Sequence, residues 1–434
     1  MQTDSDRKTV GLAAAISIGI GGMVGGGIIA VLGLSVELAR GGAPLAFLLA
    51  GIVTFLTAYS YTRLSVAFPS QGGTVAYLDR AFNPGIIVGG LNLLLWLSYI
   101  IMLSLYSYAF GSYGSSFFSN SNPVIMKHVL ISAIVIFITV LNSFRADIIG
   151  KAETWIVVLK ILILLFFLGI GLPRTRLENI APATWSPPLS LVAGGMIIFL
   201  AYEGFELIAN TAQDIRHPQR NLPRAFLFSV IFVIILYVLI SVVTVSNLSI
   251  GKIISSRDYA LAEAARPFLG QFGFRLIAMA ALLSTTSAIN ATLYGAARLS
   301  YTIARDGELP GILEKKIWHR PLEGLIITSV LTLLIANIMD LSSISTVGSA
   351  GFLIIFAAVN LGNYKLRKET RSSGWIPLLG LLACLGALSA IIWQTIRTGP
   401  ARLLVLAAMI IIALSTEILY RTLSGRKIKL TEAK

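Results

Sequence analysis

Six glycines, Gly19, Gly21, Gly22, Gly25, Gly26 and Gly27, fall within an apolar run from Val10 to Ala39 that carries no charge before Glu37. Each glycine costs about 1 kcal/mol of helix propensity relative to alanine, so a helix through this run should break there. The N–H groups freed at such a break can hold an anion such as a carboxylate. The same residues can instead make a small-residue helix contact of the Gly21-x-x-x-Gly25 kind, and spacing alone does not choose between the two. Lys160, Glu203 and Glu206 are the other residues with chemical potential, because each is ionisable and stands inside an apolar stretch. A charge in such surroundings is expensive and should face protein or water. Lys160 lies about nine residues beyond Gly150, roughly 13 Å along a helix at ~1.5 Å per residue, too deep to snorkel comfortably. Burial disfavours the charged form of an amine and of a carboxylate alike, so Lys160 and Glu206 are candidates to take up and return a proton, while the charge of Glu203 suits a cationic side chain. Each also has a plainer reading: Lys160 as a permanently charged strut, Glu206 as a hydrogen-bonded structural acid, and Glu203 as the lining of a water-filled vestibule rather than an attractor of cationic side chains. Other chemistries find no support. Cys384 is the lone cysteine, and His128, His217 and His319 are scattered without metal-ligand spacing. No nucleophile stands beside a base and no ring of charge suggests a pore, which argues against an enzyme, a channel or a receptor and implies no cofactor or metal.

The elements that position these residues are membrane spans. The chain has 434 residues, 56% of them hydrophobic and only 12% charged, with a mean hydropathy of +0.82. No soluble domain of this size hides so much apolar surface, so the fold class is an all-α polytopic membrane protein. Apolar runs at 11–38, 44–67, 86–112, 124–143, 152–172, 190–211, 224–247, 272–304, 323–340, 344–364, 375–396 and 401–421 predict about twelve transmembrane helices. The first should stay as a span, since no small-residue cleavage site leads from it to a soluble domain. The formal charge of +14 comes from Lys and Arg in short loops rather than on one basic face, which argues against a nucleic-acid partner. These residues concentrate on the loops sharing a side with both termini, which places both termini in the cytoplasm under the positive-inside rule. The sixth run is interrupted by Phe199-Leu200-Ala201-Tyr202-Glu203-Gly204-Phe205-Glu206. Spans one and six are therefore the two that read as broken, and their odd spacing reverses direction in the membrane. That pattern predicts a 5+5 inverted repeat with a binding site where the breaks meet. The expected organisation is a first five-helix repeat at 1–172, a second at 173–366, and two further helices with a cytoplasmic tail at 367–434. The segment Ile253 to Phe268 has the pattern of an amphipathic outer lid and equally that of an ordinary interfacial helix.

Four motifs in chain order carry a family resemblance. They are Gly22-Met23-Val24-Gly25-Gly26-Gly27-Ile28-Ile29, Phe68-Pro69-Ser70-Gln71-Gly72-Gly73, Gln213-Asp214-Ile215-Arg216-His217-Pro218-Gln219-Arg220-Asn221-Leu222-Pro223-Arg224, and Ala304-Arg305-Asp306-Gly307-Glu308-Leu309-Pro310. Together they resemble the amino acid-polyamine-organocation transporters over nearly the whole chain. The nearest likeness is to that family's archaeal, broad-specificity, proton-coupled amino-acid transporter, whose span-five lysine Lys160 matches. The resemblance implies the leucine-transporter-like fold in a plasma membrane and a small amino-acid substrate held between the breaks. It implies that the amides of Gly25, Gly26 and Gly27 take the substrate carboxylate. The carbonyls of Met23, Phe199, Leu200 and Glu203 would take its ammonium group, with Tyr99 lining the cavity. It puts Glu206 where the family's acid-resistance exchangers have a proton-sensing glutamate. Leu200 departs from their gating tryptophan, and Glu203 from a common aliphatic residue. Sodium-coupled relatives of the fold bind a cation between spans one, five and eight. The Lys160 ammonium, bonded to carbonyls near Gly19 and to the hydroxyls of Ser284 or Ser287, can stand in for that ion. The implied activity is proton-coupled symport by alternating access, without sodium. The alternative is exchange of amino acids or polyamines. Neither the side chain recognised nor the oligomeric state follows from the sequence.

Overall fold

The computed structural model describes residues 9–70, 72–83, 85–118, 122–144, 149–305 and 322–424. Gln71 and positions 306–310 of the matched motifs lie outside the described residues, as do the charged residues at 1–8, 145–148, 306–321 and 425–434. Helices follow the apolar runs. Span one is α1 (Leu12–Met23) and α2 (Gly27–Ala39), bent by 42° at the glycines. Then come α3 (Ala43–Ala67), the short α4 (Thr74–Phe82), α5 (Ile86–Ser115), α6 (Pro123–Phe144) and α7 (Ile149–Gly171). Span six is α8 (Pro188–Ile197), a 3₁₀ turn (Phe199–Tyr202) and α9 (Leu207–Asn210), bent by 46°. The chain continues through α10 (Pro218–Asn247), α11 (Ile250–Ser255), α12 (Ala260–Arg305), α13 (Leu322–Ile338), α14 (Leu341–Lys365), α15 (Trp375–Thr398) and α16 (Ala401–Ser424).

Among the described residues, nine helices are long and apolar enough to cross a membrane, and the two bent pairs bring the candidates to 11. The expected span at 323–340, the ninth, corresponds to α13, a shorter apolar helix that completes the twelve. The segment expected as a lid, Ile253 to Phe268, runs through α11, a short turn and the start of α12, and a break at Gly270 with φ 59° and ψ −150° separates it from the eighth span. Glycine takes that conformation without a Cβ penalty, so the chain redirects there without a loop.

The bundle is organised around α5. It is buried along most of its length and packs against α6, α12, α13, α14 and α16. The outer helices present apolar side chains outward, among them Phe137 on α6, Leu382 on α15 and Ile411 on α16, as a lipid-facing surface requires. At the centre, Tyr61, Phe199, Phe205, Phe352 and Phe356 pack mostly edge to face, with Phe205 and Phe356 tilted and their centroids 5.4 Å apart. These rings join α3 and α14 to the interrupted part of span six. At one end of the bundle, Val10 pairs with Ile215 as an isolated bridge, fixing the start of α1 beside the end of span six. At the opposite end, Arg40 pairs with Trp185.

Candidate substrate and proton site

Unwound backbone survives at membrane depth only where protein or water satisfies its polar groups. Side-chain hydroxyls from three helices do so here. Tyr237 of α10 directs its O–H to the carbonyls of Met23 (2.6 Å) and Ala201 (3.2 Å), so one side chain ties the two breaks together. Ser284 of α12 directs its hydroxyl to the carbonyls of Val24 (2.9 Å) and Gly25 (2.5 Å). Ser345 and Ser349 of α14 each donate to the Ile197 carbonyl at 2.7 Å, and Ser349 accepts from the Leu200 N–H at 2.9 Å. The breaks also touch directly. A Cβ on Gly22 would lie 2.7 Å from the Gly204 carbonyl oxygen, and Gly204 itself has φ +110°. Both positions require glycine, for close approach and for backbone conformation respectively.

Span six places its two acids in the same spot. Glu206 is fully buried and accepts from the Tyr99 hydroxyl (3.0 Å) and from the Gly204 N–H (2.8 Å). Glu203, one turn earlier in the same break, is only 2% exposed, and its Oε1 has no hydrogen-bond partner among the described residues. Lys160 is also 2% exposed, and its ammonium donates to the Gly21 carbonyl at 3.0 Å.

The sequence-predicted residues thus meet around the two breaks, with differences in detail. Lys160 bonds the carbonyl of Gly21, two residues from Gly19. The Gly19 Cα faces Ile208 and Ser229 on the other side of α1, whereas Gly21 faces Val157 of α7. Ser284 gives its hydroxyl to the break itself. The faces of Gly25, Gly26 and Gly27 are filled by protein. A Cβ at those positions would meet Ala288, the Tyr106 ring at 2.2 Å and the Ala201 carbonyl respectively. The Met23 carbonyl is taken by Tyr237, and that of Leu200 accepts from the Glu203 N–H at 3.3 Å. Phe199 packs its ring on Phe356, and Tyr99 spends its hydroxyl on Glu206. Sequence reasoning missed Tyr106, Tyr237, Ser345 and Ser349. A lone tyrosine inside the apolar stretch of α10, and serines four apart on α14, were the available signals.

Open space lies to one side. A small pocket of about 30 Å³ is lined by Gly72, Thr74, Tyr99, Asn210, Thr292 and Gly295. It sits toward the end of the bundle where Val10 meets Ile215. The opposite end is closed by a charged network. Arg257 donates to Glu37 (2.9 Å), Tyr108 donates to Asp258 (3.1 Å), and Lys127 donates to the Tyr108 hydroxyl (2.8 Å) while lying 3.6 Å from Asp258. Four pieces, α2, α5, α6 and the turn after α11, meet there.

Comparison with known proteins matches residues 10–415 to the model of a family described as amino acid permease. An uncharacterized protein of Methanocaldococcus jannaschii is 35% identical, covering 97% of both chains. An inner membrane transport protein of Escherichia coli is 32% identical over 95% of this chain and 96% of its own. A branched-chain amino acid permease of Bacillus subtilis is 24% identical over 90% of this chain and 89% of its own.

Proposed function

The chain belongs to the amino acid permease family, and from that premise we propose that this amino-acid transporter is a proton-coupled symporter working by alternating access. It is a transport protein rather than an enzyme, with the leucine-transporter-like fold of its family. The observation that carries the coupling is the Lys160 ammonium, buried between α7 and α1 and donating to Gly21 at 3.0 Å. That carbonyl belongs to the last turn before the first break, so the amine's protonation state governs whether α1 is tied to α7. A charged amine holds the carbonyl with a strong hydrogen bond, and a neutral one holds it weakly. Proton loss therefore loosens α1 at its hinge, and proton uptake secures it.

The substrate carboxylate binds at the amides of Gly25, Gly26 and Gly27 once the Tyr106 ring moves off Gly26. Its ammonium group takes the carbonyls of Met23, Phe199, Leu200 and Glu203. The arrangement is supported by the first N–H groups of α2, which have no partner within their own helix. The pocket beside Thr74 and Asn210 is the cytoplasmic vestibule, and the Glu37, Arg257, Asp258, Tyr108 and Lys127 network is the outer closure. Both termini are then cytoplasmic in the plasma membrane. Residues 1–172 and 173–366 form the inverted repeats, with 367–434 outside them.

The test is proton flux. Liposomes loaded with a pH-sensitive dye should acidify inside when amino acid is added outside, in sodium-free buffer and with no amino acid within. Uptake that requires internal amino acid and moves no protons would instead identify an exchanger.

A further inference from the structure

We propose that the turn between α14 and α15 is a docking site for the head group of an anionic phospholipid, whose phosphate is taken by Arg63, Arg367, Lys368 and Arg371. The inference goes beyond the symport reading and holds equally for a symporter and an exchanger. Only the choice of the inner leaflet depends on the cytoplasmic assignment of this end.

The topology puts this turn at the membrane surface. Helices α14 and α15 are each long and apolar enough to span, and only residues 366–374 separate them. Trp375, the first residue of α15, is 76% exposed. An indole placed so at the end of a span sits at head-group depth, in the aromatic belt of the bilayer. This is the end where Val10 meets Ile215, since Gln213 there donates to the carbonyl of Pro69, two residues beyond α3 (3.1 Å). The turn is framed from within. The hydroxyls of Thr370, which is buried, and Ser372 each donate to Asn363 Oδ1 at 2.9 Å, and the Asn363 amide donates to Ser60 of α3 at 3.3 Å. The Ser373 N–H donates to the Tyr59 hydroxyl of α3 at 2.9 Å. The backbone is thereby fixed to α3 and α14, while Arg367, Lys368 and Arg371 stand exposed on it.

Charge on the turn is one-sided. Its one acid, Glu369, is already held by Arg80 of α4 at 3.3 Å, and the remaining cations make no ion pair among the described residues. Tyr59 gathers them: the Arg63 guanidinium lies over its ring, 5.3 Å from the centroid, and its hydroxyl holds the turn at Ser373. The Arg367 side chain passes beside the neighbouring Gly374, stacks on the Tyr364 ring at 4.7 Å and donates to the Tyr364 carbonyl at 3.2 Å. A guanidinium has five N–H donors, so most of that fork is left for a further acceptor. Like charges brought this close repel, and an anion seated among them relieves the repulsion. Phosphate oxygens match the guanidinium fork. A phosphodiester carried by acyl chains is delivered to this depth beside Trp375, where the bilayer supplies it at high local concentration. Orienting the chain needs the positive charges but no fixed arrangement of them.

Native mass spectrometry of the full chain, with phosphatidylglycerol or phosphatidylcholine added to the detergent, reads the contact without reference to transport. The parent should retain phosphatidylglycerol in preference to phosphatidylcholine. Arg367→Gln combined with Arg371→Asn should weaken phosphatidylglycerol retention by roughly tenfold or more and leave phosphatidylcholine retention unchanged. Asparagine suits position 371 because Arg371 has φ 51°, which asparagine adopts readily. Lys368→Gln, a change on an exposed side chain, should give a smaller loss of the same kind and carries the test if the double variant does not fold. Arg220→Gln, an exposed cation at the start of α10, should bind as the parent does. Three results would overturn the proposal. They are a parent without preference for phosphatidylglycerol, a loss in Arg220→Gln as large as in the double variant, and displacement of the retained lipid by inorganic phosphate. The second would mark diffuse surface charge, and the third a site for free anions.

Discussion

Tyr237 does at the scale of one residue what water does at the surface of a soluble protein. Its hydroxyl caps carbonyls from both breaks, 2.6 Å from Met23 and 3.2 Å from Ala201. Leaving a buried acceptor without its donor costs about 1–3 kcal/mol, so Tyr237→Phe should lower thermal stability in detergent and reduce uptake. An unchanged melting temperature would mean that the two carbonyls find another donor. Gly26→Val should abolish uptake with the protein still monodisperse, since even a Cβ would lie 2.2 Å from the Tyr106 ring. Normal transport by that variant would contradict the close packing of α5 on the first break. The need for glycine was legible in the sequence, because six such residues in an apolar run have few other uses. The identity of the neighbour was not, as the approach of Tyr106 is set by how α5 docks. Glu203→Gln tests a related point. If the acid reads the charge of a substrate side chain, cationic substrates should suffer more than neutral ones, and equal losses would favour Glu203 as the lining of a water-filled vestibule.

Elements explain why the two ends of the bundle differ. The turn after α11 brings Arg257 and Asp258 onto Glu37 of α2, Tyr108 of α5 and Lys127 of α6. Exposed ion pairs contribute little singly, but this network is partly buried and joins pieces that must separate for that end to open. Asp258→Asn should therefore loosen the segment 250–259, seen as faster amide hydrogen exchange by mass spectrometry. Exchange unchanged from the parent would remove the network from the closure. Span positions were readable from hydropathy because lipid imposes about 20 apolar residues on a helix. The break at Gly270 was readable as the gap between the lid segment and the eighth span, but its form was not, since a loop and a positive-φ glycine look alike in composition. Which carbonyl of the turn near Gly19 meets Lys160, that of Gly21, has the same origin. Residues two apart on a helix face different neighbours, and which of them meets α7 depends on how the helices dock.

For the whole molecule, the two breaks, the lysine and the two acids are gathered within one bundle whose family is that of the amino acid permeases. The account makes proton movement through this centre the source of uphill transport, with Lys160 securing α1 in one state and releasing it in another. The most direct measurement compares accumulation of amino acid by liposomes holding the parent protein or Lys160→Ala, under an inward proton gradient and without sodium. The account predicts accumulation above the external concentration for the parent and none for Lys160→Ala, even where the variant still binds or exchanges substrate. Gradient-driven accumulation by Lys160→Ala equal to the parent's would contradict it and leave the lysine as a strut between α7 and α1.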